Sequence, residues 1–260
     1  MLIGCPAAPH QARSSAGDFT PIDDAQPVSN PHWLLADTTA RLDGPPLAAE
    51  VDLHKPQYGL HHLSWLGMGV PSDEPRLMLG VGDPAYSPDE RHEPALAESY
   101  ARGDDLVATY PQTEARPYRM QAYWRICPRP AGVIFQVELQ VSLNTSLLDT
   151  SPTVAVVSCL DAGPCVQVEA SVGSFHIVRP DGADWSLVHM IHPVDQTHPT
   201  AIALPPGGVE LRTPLFGKFL EKGVILRARA RAALLKRQGD DAAALALYEE
   251  FRHAPLPLTT

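Results

Sequence analysis

The stretch YRMQAYWRICPRPAGVIFQVELQVSL, residues 118–143, decides the fold class. Tyr118, Met120, Ala122, Trp124 and Ile126 alternate with Arg119, Gln121, Tyr123 and Arg125. After a turn over Pro128-Arg129-Pro130-Ala131-Gly132 the alternation resumes, with Val133, Phe135, Val137, Leu139, Val141 and Leu143 set against Gln136, Glu138, Gln140 and Ser142. Successive side chains of an extended chain point to opposite sides, so period two means a strand with one apolar and one polar face. Two such strands joined by a Pro/Gly turn make a β-hairpin. For the apolar side chains to share a face, paired residue numbers must sum to an odd value of about 261, which sets Tyr123 opposite Glu138 and Trp124 opposite Val137.

Downstream, Gly223 to Leu235 repeats the pattern: Arg227, Arg229 and Arg231 recur at period two against Val224, Leu226, Ala228, Ala230, Ala232 and Leu234. Alanine favours helix, but helical spacing would scatter these arginines around the axis, so the segment reads as a strand. Its arginines are expected on the same side of a sheet as Glu138 or Glu169. Further strands are predicted at Leu47–His54, Leu77–Val81, Leu106–Tyr110, Thr153–Cys159, Cys165–Val172, Phe175–Arg179, Trp185–Ile191 and Val209–Thr213, divided by turn signals such as Pro180-Asp181-Gly182. Beyond Gly239, Asp240 is placed to N-cap a helix over Ala242–Arg252 that ends before Pro255. The expected architecture is mostly β, a large antiparallel β-sandwich with one short C-terminal helix. Residues 36–260 read as a single domain, and residues 1–35, rich in proline, serine and acids without periodicity, read as a loose tail.

Composition agrees: 27 prolines and 18 glycines in 260 residues suit many short strands. The formal charge of −10 speaks against a nucleic-acid binder, because affinity for phosphate comes chiefly from Lys and Arg, which number 20 against 30 acids. No apolar run has the roughly 18 residues of a membrane span, and the first residues lack a secretory leader's basic and apolar regions. A cytoplasmic protein is expected. Leu2-Ile3-Gly4-Cys5 imitates a lipoprotein cleavage box, yet a single residue precedes it. Cys159 and Cys165 flank a turn and would form a cross-strand disulfide only after export.

Three groups of residues are candidates for chemistry. The first is the polar face carrying Arg119, Gln121, Tyr123, Arg125, Glu138, Arg227, Arg229 and Arg231, whose guanidinium forks, amides and aromatic ring suit a polar, acidic or hydroxyl-rich ligand. The alternative is a solvated sheet face whose charges neutralise one another. The second is the run His189-Met-Ile-His192-Pro-Val-Asp195-Gln-Thr-His198. In a strand His189 and His192 point to opposite faces, and Pro193 and Pro199 prevent a helix that would gather them, so neither metal nor cofactor is expected. The third is His61-His62 near Trp65, which with Asp105 would supply a general base and acid beside a stacking surface. GxGxxG, P-loop, GxSxG and HExxH motifs are absent from the sequence.

The phrases Asp105-Leu-Val-Ala-Thr-Tyr110, Gln121-Ala-Tyr-Trp-Arg125, Asn144-Thr-Ser-Leu-Leu-Asp149, His189-Met-Ile-His-Pro-Val-Asp195 and Leu220-Glu-Lys-Gly-Val-Ile-Leu-Arg-Ala-Arg229 resemble a family of uncharacterised bacterial proteins with no known function. That resemblance implies no activity. A sandwich of this size also resembles the galactose-mutarotase-like supersandwich, by strand count alone and without site residues. Three readings stand: a non-enzymatic module binding a polar or sugar-like small molecule, a carbohydrate-active enzyme of mutarotase-like or lyase-like type, and a structural or assembly protein. No nucleic-acid or membrane partner is expected.

Overall fold

A computed structural model describes residues 32–44, 47–65, 68–69, 77–82, 95–160, 163–196, 200–204 and 208–255. Strands β1 (His32–Ala36), β2 (Thr39–Asp43), β3 (Leu47–Asp52), β4 (His61–Trp65) and β5 (Met68–Gly69) join in that order into one sheet. Next come β6 (Leu77–Gly82), β7 (Glu98–Arg102), β8 (Asp105–Tyr110), β9 (Arg119–Ile126) and β10 (Val133–Asn144). They are followed by β11 (Asp149–Thr150), β12 (Val154–Leu160), β13 (Cys165–Glu169), β14 (Ser174–Val178) and β15 (Trp185–Ile191). The remaining elements are β16 (Thr200–Leu204), β17 (Gly208–Leu215), β18 (Leu220–Glu221), β19 (Leu226–Lys236) and the helix α1 (Asp240–His253).

The largest sheet runs β13-β14-β15-β19-β10-β9-β8-β7 and every neighbouring pair in it is antiparallel. A four-stranded sheet, β16-β17-β12-β6, and the five-stranded one pack on its inner face, and the fold is the expected antiparallel sandwich with one C-terminal helix. Leu106, Tyr110, Trp124, Phe135, Val137 and Ala230 of the large sheet share one apolar core with Val156, Val81 and Val51 of the smaller ones. Hydrogen bonds cross the layers where an aromatic brings a polar tip inside: Trp124 Nε1 donates to the Leu79 carbonyl at 3.2 Å and the Tyr110 hydroxyl to that of Leu53 at 2.9 Å.

The arginine-bearing segment is a strand, β19, and sits centrally between β15 and β10. The hairpin of β9 and β10 has the expected parity but is displaced by two residues, so that Ile126 pairs with Val137, Trp124 with Leu139 and Tyr123 with Gln140. A slip of two leaves every side chain on its own face, so alternation cannot detect it and the turn decides. Here the turn is held by Cys127 N–H donating to Gln136 O and Val133 N–H to Pro130 O.

Residues 32–35, expected with the tail, form most of β1. Trp33 is buried, its indole donates to the Asp104 carbonyl at 3.1 Å, and its backbone N–H donates to Gly103 O. Burial of that ring anchors the strand despite the absence of periodicity upstream. The rest of the tail, with Cys5, lies outside the described residues. The helix also begins differently, because left-handed Gly239 is its N-cap and Asp240 is engaged elsewhere. The Asp240 carboxylate accepts the Arg179 fork at 2.8 and 3.1 Å and the Ser186 hydroxyl at 2.6 Å, which pins the first turn of α1 to β15. Cys127, Cys159 and Cys165 are free thiols.

One end of the large sheet is apolar on its outer side as well. Phe175, Ile177, Val188, Met190, Ala233 and Leu235 form a second core with Ala244, Leu247, Tyr248 and Phe251 of α1. Strands covered on both faces read as near-continuous apolar runs, which is how β14 and β15 appear in the sequence.

Candidate functional site

Antiparallel register arranges the polar residues of the outer face into rungs. The first rung is Arg102, Asp105, Arg125, Glu138 and Arg231, alternating in sign across five strands. The second is Val107, Tyr123, Gln140 and Arg229, and the third is Thr109, Gln121, Ser142 and Arg227. Arg119 lies opposite Asn144 beyond the third. All eight residues expected on the polar face are therefore on one face. Directly opposed unlike charges stabilise adjacent strands, so the first rung also helps hold the sheet's register.

Two of the arginines have structural partners. Arg231 is 3% exposed, gives one nitrogen to Glu138 at 3.0 Å and another to Glu250 of α1 at 3.1 Å, and lies 4.6 Å from the centre of the Phe251 ring. Arg229 donates to the carbonyls of Ala254 and Pro255 at 2.9 and 3.3 Å. Both dock the helix and the chain beyond it. Glu169, the other acid expected beside the arginines, lies on the edge strand β13, where it accepts from Gln167 at 2.7 Å.

The rest of the face has a buried polar floor and an exposed rim. Thr109, Tyr123 and Gln140 are buried, and Arg119 and Arg125 are exposed. The Tyr123 hydroxyl donates to Asp105 Oδ1 at 2.7 Å, with Arg125 at 3.7 Å from the same oxygen. Burial, and then this hydrogen bond to a carboxylate, raise the Tyr123 phenol well above its ordinary pKa, so it stays a donor at neutral pH. Gln121 Nε2 donates to Thr109 Oγ1 and Gln140 Nε2 to Ser142 Oγ, both at the long distance of 3.4 Å. The Oε1 atoms of Gln136 and Gln140 and the Nε atoms of Arg229 and Arg231 are buried without hydrogen-bond partners. A buried polar atom left unpaired costs about 1–3 kcal/mol, so these four atoms mark where the face has unused bonding capacity.

The histidine run separates as its strand geometry requires. His189 points inward, its Nδ1 3.0 Å from Ser158 Oγ on β12, while His192 points outward, with Nε2 3.2 Å from the Arg252 carbonyl and its ring edge-on to Phe251. His198 lies outside the described residues. Sequence reading missed what surrounds His189: His176 is its cross-strand partner, and Ser158 also accepts the Leu79 N–H at 3.1 Å. The available signal was parity, since His176 and His189 fall on inner-face positions. Burial, then the neighbouring His176, push His189 down to about 3, leaving a neutral imidazole. Burial pushes Cys127 up to about 11 and Cys159 up to about 12, so neither is a ready nucleophile.

The grouping of His61 or His62 with Asp105 does not form. Asp105 is bound to Tyr123 and Arg125 on the outer face, whereas His61 and His62 lie on β4 of the five-stranded sheet, beside Glu50. β4, which carries the two histidines, and β8, which carries Asp105, belong to different sheets. The Trp65 side chain lies outside the described residues. Among the described residues no helix is long and apolar enough to cross a membrane.

No family model matches the chain, and no curated protein does. Among solved structures, YeaD from Salmonella typhimurium, assigned as a mutarotase, is 11% identical with a TM-score of 0.48, over 83% of this chain and 96% of that one. A protein of the human microbiome assigned as a kojibiose phosphorylase is 10% identical with a TM-score of 0.46, over 86% of this chain. The chain spans 33% of that second protein's length. Neither likeness bears on activity.

Proposed function

We propose that the chain is a non-enzymatic sandwich module that binds a polar, carbohydrate-like ligand on the outer face of its large sheet. The ligand lies on Gln121, Tyr123 and Gln140 between the rims of Arg119, Arg125 and Arg227. The observation that carries this reading is Gln140 Oε1, a buried acceptor without a partner at the centre of three polar rungs. Sugar hydroxyls both donate and accept, and they match a floor of amides and hydroxyls whose internal hydrogen bonds are long and readily exchanged. Arg229 and Arg231 contribute indirectly, by fixing the helix that borders the face.

The test is a panel of neutral and acidic glycans titrated calorimetrically against the wild type and the variants Gln140→Leu and Gln121→Ala. At least one glycan should bind, and each variant should weaken it by about tenfold or more, equivalent to about 1.4 kcal/mol. Absence of binding across the panel, or binding indifferent to both substitutions, refutes the proposal. Arg229→Ala is a poor probe, because it releases the Ala254 and Pro255 carbonyls as well.

A further inference from the structure

We propose that Glu50, His61 and His62 form a binding site for a late first-row divalent metal ion such as Zn²⁺ on the five-stranded sheet, separate from the outer face of the large one. One ligating atom from each of the three side chains lies within 4.8 Å of the others. The two imidazole rings are 4.7 Å apart between centres, tilted by 57°. Glu50 and His61 are half-buried and His62 is exposed, so the site opens to solvent on one side.

Neighbouring residues of a regular strand point to opposite faces, and His61 and His62 would diverge. A β-bulge prevents this. Ala48 pairs with Ser64, and the same register would set Glu50 opposite His62, yet Glu50 pairs with His61, so that His62 and Leu63 together stand against Ala49. The extra residue is His62, whose φ of 52° lies in the left-handed region, where glycine is the usual occupant of a bulge. Bulges commonly re-aim a side chain, and here the bulge turns the second imidazole toward the first.

The first imidazole is aimed by its own backbone. His61 Nδ1 lies 3.1 Å from the Gly59 carbonyl, which fixes Nδ1 as the protonated nitrogen and leaves Nε2 as the lone-pair donor. Gly59 has little freedom, because a Cβ there would stand 2.3 Å from Met78 O, and Leu60 and Met78 exchange both backbone hydrogen bonds at 2.9 Å. A ligating histidine held through its other nitrogen by a carbonyl is the usual outer-shell arrangement of a zinc site. Arg41 holds Glu50 Oε1 at 3.0 Å and orients the carboxylate. Two imidazoles and a carboxylate suit Zn²⁺, Co²⁺, Ni²⁺ or Cu²⁺ better than the oxygen-seeking Mg²⁺ or Ca²⁺, and three protein ligands leave a fourth position for solvent or a small anion.

The experiment uses metal-free full-length protein purified without a polyhistidine tag. Zn²⁺ is titrated calorimetrically and Co²⁺ by visible absorption, against the wild type, Glu50→Gln and His62→Asn; asparagine tolerates the left-handed backbone, so the bulge survives. The expected result is one ion per chain, a Co²⁺ spectrum of low coordination number, and binding weakened at least about tenfold by either substitution with an unchanged circular dichroism spectrum. No saturable binding, or binding that persists at wild-type affinity in both variants, overturns the site. Glu50, His61 and His62 lie on a different sheet from the proposed ligand face, so these substitutions are expected to leave glycan binding unchanged and the two tests can fail independently.

Discussion

At the scale of single residues, the pair of Arg231 and Glu138 shows how one side chain changes meaning in three dimensions. Strict alternation placed both on a polar face, and they are directly opposed across β10 and β19. What alternation cannot show is a helix lying over that face, which leaves their side chains 3% and 7% exposed. A buried ion pair contributes little net stability over a well-packed apolar pair, but removing one member strands a charge. Glu138→Ala is therefore expected to cost about 3–5 kcal/mol in urea unfolding, moderated by Glu250, the second acceptor of Arg231. Replacing both with apolar residues, Arg231→Met with Glu138→Leu, is expected to restore most of that loss. A double variant as unstable as the single one contradicts the attribution of that loss to a stranded Arg231 charge.

At the scale of elements, strands were the most legible part of the chain. β9, β10 and β19 each carry a long run of apolar and polar alternation, because one of their faces meets the core along its whole length. β1 gave no such signal; a single tryptophan anchors it, and one residue makes no period. The helix was legible from its composition, but its start was not, because Asp240 carries an acid suited to an N-cap and instead serves Arg179 across 61 positions. The helix depends on Phe251, which is fully buried, packs in the second core and lies beneath both arginines at 5.6 and 4.6 Å. Phe251→Ala is expected to lower stability by about 3–5 kcal/mol through lost burial and a residual cavity. Hydrogen exchange should show the amides of α1 losing protection before those of β9 and β10. Equal loss in both regions would mean that the helix is not a separately docked unit.

At the scale of the whole molecule, the two layers are joined by a polar contact within an apolar core. His189 reaches from the large sheet to Ser158 of the four-stranded one, and its imidazole is held neutral by burial. The unfolded chain takes up a proton on this residue below about pH 6.5, and the folded chain refuses it until about pH 3. Stability is thus complete above the unfolded value and falls as the pH drops through this window. His176 and His192, whose pKa values burial also lowers, act in the same direction. Between pH 7.5 and 5 the contribution of His189 alone is about 2 kcal/mol. Urea midpoints at the two pH values measure it, and His189→Asn should flatten the dependence; an unchanged dependence would show that His189 is accessible to protons in the fold.

The sequence by itself determined the fold class, the hairpin, the faces of β9, β10 and β19 and the divergence of His189 and His192. Each of these follows from local backbone geometry, since side-chain direction in a regular, unbulged strand depends only on parity. Only the tertiary structure decided which sheet each strand joins, the two-residue displacement of the hairpin, the use of Arg229 and Arg231 by the helix, and the partners of His61 and His62. Asp105 was expected beside those histidines and lies on another sheet, while Glu50 reaches them through a bulge whose extra residue leaves no mark on the alternation. Strand order and bulges are set by which long-range pairings bury most surface, and that competition involves the whole chain at once.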